Sequence, residues 1–82
     1  MATVRFETDD AVLRATYERV AAHIKKVDSE LRTIPLLGEP VEKVKVQAAG
    51  ALNAVGVDLP DEMVAEYAQS LSGGNDYEFV LT

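Results

Sequence analysis

Leu13-Arg-Ala-Thr-Tyr17-Glu-Arg-Val20-Ala-Ala-His-Ile24-Lys-Lys-Val27-Asp-Ser-Glu-Leu31-Arg-Thr-Ile34 carries its apolar residues in an unbroken alternation of four-residue and three-residue steps. Leu13, Tyr17, Val20, Ile24, Val27, Leu31 and Ile34 therefore share one face of a helix, and a stripe that recurs every 3.5 residues needs a second helix along its length. Two partners are open to it: a second chain in a coiled coil, or later helices of the same chain. The flanks leave that choice open. With Tyr17, Ile24 and Leu31 as a positions, the g residues are Thr16, His23 and Glu30 and the e residues are Arg14, Ala21 and Asp28, so only His23 with Asp28 forms an opposite-charge pair. Val12, Ala15 and Ala22 widen the stripe, which points to more than one neighbour.

Thr8, Asp9 and Asp10 place capping oxygens and carboxylates where a helix begins, and Pro35 disfavours the α conformation at the residue before it. The first helix is thus expected over 10–33, about 36 Å at about 1.5 Å per residue. Pro35-Leu-Leu-Gly-Glu-Pro40 reads as a rigid turn, with Pro40 suited to the first position of a second helix over 41–55. From Val46 to Val57 that segment carries no charge and is apolar or small on every side. A helix of this kind is normally enclosed, and the rest of the chain offers little to enclose it. The interface predicted from this is Val46, Ala49, Gly50, Asn53 and Val57, which argues for association.

Gly56 closes the second helix, Pro60-Asp61-Glu62 opens a third over 61–72, and Ser72-Gly73-Gly74-Asn75-Asp76 stops it. Residues 3–7 alternate apolar and polar side chains, and residues 77–81 set Tyr77, Phe79 and Leu81 on one side with Glu78 and Val80 on the other, so both stretches read as strands. The second and third helices together match the first in length if they run back along it in line. The chain is therefore read as one domain over 1–82, mostly α, with the long helix antiparallel to two shorter ones. On this arithmetic the terminal strands form a small antiparallel ribbon. Two strands alone are marginal, so the ribbon is expected to pack on the helices or to pair across a subunit boundary.

Composition narrows function further. The chain has 82 residues, 48% of them apolar, but eleven are Ala and eleven Val, and Trp is absent. Small side chains bury little area each, so close approach between helices has to replace bulk. A net charge of −6 argues against binding nucleic acid or an anionic membrane surface and is compatible with a basic protein partner. There is no Cys, hence no disulfide, thiolate metal site or Cys nucleophile. No apolar run reaches the ~18–20 residues that span a bilayer, and the N-terminus lacks the order of a secretory signal. The expectation is a cytoplasmic protein, or a component of an intracellularly assembled particle.

Catalytic signatures are missing. His23 has no carboxylate three or four residues away and reads as a solvated boundary residue. Asp9/Asp10, Glu39/Glu42 and Asp58/Asp61/Glu62 sit at helix starts, where capping and dipole physics favour acid. No phosphate-binding glycine loop or nucleophile elbow is present. The reading is a non-catalytic interaction or assembly module, without cofactor or metal, that binds itself or another protein.

One stretch offers a second reading. Leu59-Pro-Asp-Glu-Met-Val-Ala-Glu-Tyr-Ala-Gln-Ser-Leu-Ser-Gly73-Gly74 resembles the end of double-glycine leader peptides of ribosomally made, post-translationally modified peptide precursors. Leu71 stands where such leaders favour an apolar residue. The resemblance implies cleavage after Gly73-Gly74 and release of residues 75–82, whereas helix-terminus physics reads the same glycines as a stop before a strand.

Overall fold

Each helix begins and ends where a local device satisfies its free backbone groups. The computed structural model describes residues 2–81, in the order β1 (Ala2–Phe6), α1 (Ala11–Leu31), α2 (Val41–Ala54), α3 (Asp61–Gly73) and β2 (Tyr77–Leu81). Asp10 caps α1, its Oδ1 accepting from the backbone N–H of Val12 at 2.9 Å and of Leu13 at 3.2 Å. α1 is shorter than the expected 10–33, because the chain already turns at Arg32 and Thr33 ahead of Pro35. Pro40 and Pro60 sit one position earlier than a first helical residue, as the N-caps of α2 and α3.

Two glycines reverse the chain. At the end of α2, Gly56 adopts φ 76°, the Gly56 N–H donates to Asn53 O at 3.0 Å, and the Val57 N–H donates to Leu52 O at 2.9 Å. Gly74 does the same for α3 with φ 71°, Gly74 N–H to Leu71 O at 3.3 Å and Asn75 N–H to Ser70 O at 2.8 Å. Both are Schellman closures, in which a left-handed residue satisfies the last carbonyls. The 35–40 turn is tied to the far end of α3 through Gly38 N–H to Ser72 O at 2.8 Å and Ser72 Oγ to Glu39 O at 2.6 Å.

The helices do not lie as the length arithmetic expects. α2 and α3 pack side by side along their lengths, while α1 packs against β1 and α2. Val44, Ala48 and Leu52 of α2 and Val64, Tyr67, Ala68 and Leu71 of α3 are buried. Ala48 and Ala68 are fully covered, so the small side chains do let helices approach closely. The Lys45 Nζ to Asp61 Oδ2 contact at 2.8 Å adds a clasp between α2 and the start of α3.

This packing corrects the strand direction. β1 and β2 pair in parallel, Ala2 opposite Tyr77 through Phe6 opposite Leu81, and Glu7 N–H extends the ladder to Leu81 O at 2.8 Å. Helices in line would reverse the chain three times between the strands and leave them antiparallel. Folding α3 back on α2 adds a fourth reversal, which restores the direction of β1. The antiparallel ribbon is thus replaced by a parallel pair, with Ala2, Phe79 and Leu81 facing the core. Phe79 is fully buried against Tyr67 and Tyr77, its ring centroid 4.8 Å from each.

Candidate interaction surface

Besides Ile34 and Leu37 in the turn after α1, exposed apolar surface gathers in two places. The first is the outer face of α2, where Val46 is 72% exposed and Gly50, Asn53 and Ala54 are exposed one turn after another. A Cβ built on Gly50 meets nothing within 4 Å. No packing need of the chain itself therefore requires glycine there. Glycine inside a helix costs about 0.8–1.0 kcal/mol relative to alanine. Gly50→Ala is accordingly expected to raise the stability of the isolated chain by about 0.5–1 kcal/mol, read as a higher urea midpoint.

That face runs into a groove of about 380 Å³ between the end of α2 and the start of α3. Leu52, Val57 and Val64 form its apolar floor, and the exposed Asp58 and Asp61 stand on its rim. The structure thus separates the predicted interface residues. Val46, Gly50 and Asn53 are exposed, Ala49 is half-buried and also lines the groove with Asn53, and Val57 is buried. Val57 turns inward because the Gly56 reversal carries it back over Leu52.

The second place is the N-terminal half of α1. From Ala11 to Arg19 every residue is exposed except the half-buried Tyr17, and Val12 reaches 77%. The predicted seam divides accordingly: Ile24, Val27 and Leu31 are buried, Val20 and Tyr17 half-buried, and Leu13 43% exposed. Ile34 lies beyond the helix and is exposed. This overhang agrees with a molecule 39 Å long and only 21 × 20 Å across. Phe6 is its main neighbour, 6.1 Å from the Tyr17 ring and with the Arg14 guanidinium 5.6 Å above it.

One residue that matters was not among the predicted ones. Asp28 is 4% exposed, and its Oδ1 accepts from Tyr67 Oη at 2.7 Å and Arg32 Nε at 2.9 Å. Its Oδ2 accepts from the backbone N–H of Ala2 at 3.0 Å. Arg32 continues to Asn75 O at 3.1 Å, so one carboxylate joins α1, α3, β1 and, through Arg32, the turn ahead of β2. Burial, reinforced by the hydrogen bond to Asp28, raises the pKa of the Tyr67 phenol far above its ordinary value and keeps it a donor. Among the described residues, no buried side-chain polar atom lacks a partner, so the arrangement is a fully satisfied buried network. His23, paired with Asp28 in the heptad reading, is exposed, and Asp28 finds other partners. The i, i+4 spacing of Asp28 and Arg32 was the available clue.

Among the described residues, no group of three or more His, Cys, Asp or Glu side chains converges to hold a metal ion. No helix among them is long and apolar enough to cross a membrane. Gly73 ends α3, and Gly74 occupies its left-handed closing position, directly ahead of the paired strand β2. No protein family, curated protein or solved structure matches this chain.

Proposed function

We propose that this chain is a non-catalytic interaction or assembly module that associates with copies of itself, inside the cell, through the outer face of α2 and the adjoining α2–α3 groove. The observation that carries the reading is the charge-free surface of Val46, Gly50 and Ala54 beside an apolar-floored groove. A strongly exposed valine, a glycine that no internal contact demands and a concave apolar floor together match the centre of a helix-packing interface. Lys45 of the same chain answers Asp61 on the rim at 2.8 Å, which limits like-charge repulsion between copies, and the net charge of −6 argues against nucleic acid as the partner.

Val46→Glu is the direct test. An exposed substitution of this kind changes the stability of a lone chain by about 0.5 kcal/mol or less. In an assembled particle it places a charge in the apolar centre, so the mass measured by light scattering is expected to fall while the helical circular dichroism is retained. A wild-type chain that stays at 8.9 kDa at every concentration overturns the proposal.

A further inference from the structure

The α2 surface is not the only unpartnered one, since the small sheet has an open edge with a definite backbone pattern. In a parallel pair, alternate residues of each strand turn their N–H and C=O toward the neighbour and the others turn them away. The Glu7 N–H to Leu81 O bond sets that alternation here. Tyr77, Phe79 and Leu81 face β1, and Glu78 and Val80 present their backbone groups to the outside of β2. Among the described residues, no further strand adjoins β2 and no hydrogen bond reaches the outer edge at Glu78 or Val80. The β1 edge differs, because Asp28 takes the Ala2 N–H and α1 packs on β1.

Open edges are usually guarded by Pro, charged side chains or a bulge, and Tyr77-Glu-Phe-Val-Leu81 has no Pro, no bulge and a single charge, Glu78. Its aromatic and β-branched residues are strong strand formers, and two strands alone are marginal in water. Parallel pairs in particular occur almost only inside larger, covered sheets.

We infer that β2 is a self-association edge, pairing antiparallel with β2 of a second copy to give a four-stranded sheet in the order β1, β2, partner β2, partner β1. This inference rests on the self-associating reading above but uses a separate surface. The register identifies the occupant. Outward-facing residues must pair with outward-facing residues, which leaves three choices about a two-fold axis. Centring on Glu78 puts like charges opposite each other, which is destabilising. Centring on Val80 carries Glu78 past the end of the partner strand. Centring on Phe79 sets Glu78 against Val80 of the other copy, Tyr77 against its Leu81 and Phe79 against its Phe79. In that register the single charge of the strand never meets itself, and aromatic and aliphatic side chains meet on the core-facing side. The charge of Glu78 is already answered by Arg5 of its own chain at 3.5 Å. A strand complementary to its own reversed copy is what an isologous interface requires.

Val80→Pro tests the edge, because it removes an outward N–H that the β1 ladder does not use. The expected result is a two-fold fall in the mass measured by light scattering, with an unchanged circular dichroism spectrum. An assembly whose mass ignores Val80→Pro yet falls with Val46→Glu overturns the edge and leaves the α2 reading standing. A wild-type chain at 8.9 kDa at all concentrations overturns both. Hydrogen exchange on the wild-type protein guards against a misfolded variant. The amides of Glu78 and Val80 are expected to be protected at high concentration and to lose that protection on dilution, and exchange independent of concentration overturns the edge.

Discussion

Asp28→Ala is expected to be the most damaging single substitution in this chain, with a loss of about 3–5 kcal/mol, the range for removing one partner from a buried charged pair. The change leaves the Tyr67 hydroxyl and the Ala2 N–H without their acceptor in a dry environment, and frees Arg32 from the carboxylate that aims it at Asn75 O. Each unsatisfied buried group costs about 1–3 kcal/mol. Small domains hold roughly 5–15 kcal/mol in total, and each kcal/mol shifts the midpoint by about 4–8 °C at this size, so a fall on the order of 20 °C follows. Asp28→Asn, which keeps an acceptor and the shape, should fall between the variant and the wild type. Thermal denaturation followed by circular dichroism measures both. A midpoint for Asp28→Ala within a few degrees of the wild type would show that the network contributes nothing net.

That residue also marks the limit of what the sequence discloses. Five elements are legible to within one or two residues because their ends rest on local devices: Asp10 as a cap, Pro35 as a barrier, Gly56 and Gly74 as left-handed closures. What those devices do not determine is how elements stack. The combined length of α2 and α3 suits an in-line arrangement as well as the observed side-by-side one, and one extra reversal inverts the strand pairing. Ala48 and Ala68 are fully buried in the observed arrangement, but alanine in a sequence carries no sign of being at a contact.

The seam shows the same limit. Its period correctly assigns Ile24, Val27 and Leu31 to one buried face, and says nothing about where the covering elements stop. They stop at Val20, which leaves the first turns of α1 exposed. Asp28 was hidden for the opposite reason. A carboxylate beside a helical seam is usually solvated, and only the tertiary approach of Tyr67 and Ala2 makes burying it tolerable. The uncharged run on α2 is visible in the sequence, but the inward turn of Val57 is not, because a one-residue glycine reversal changes which side the next residue faces.

Removing residues 75–82 is expected to unfold the chain, and this experiment separates a structural tail from a releasable one. The segment contains Phe79, fully buried, and Leu81, 8% exposed, together with the half-buried Tyr77 that completes the aromatic cluster around Tyr67. Truncating a buried phenylalanine alone costs about 3–5 kcal/mol and a buried leucine about 2–5 kcal/mol. Their sum reaches the whole stability of an ordinary small domain. The deletion also takes the sole strand that pairs with β1 among the described residues, the Asn75 N–H that helps close α3 and the carbonyl that receives Arg32. The truncated chain should show weak helical circular dichroism and no cooperative thermal transition. A precursor whose last eight residues are a product to be released requires the opposite: a truncated chain that melts cooperatively near the wild-type midpoint, since a leader must survive the loss of its cargo. The full burial of Phe79 weighs against that result, because a segment destined for release has no reason to supply the centre of the core it leaves behind.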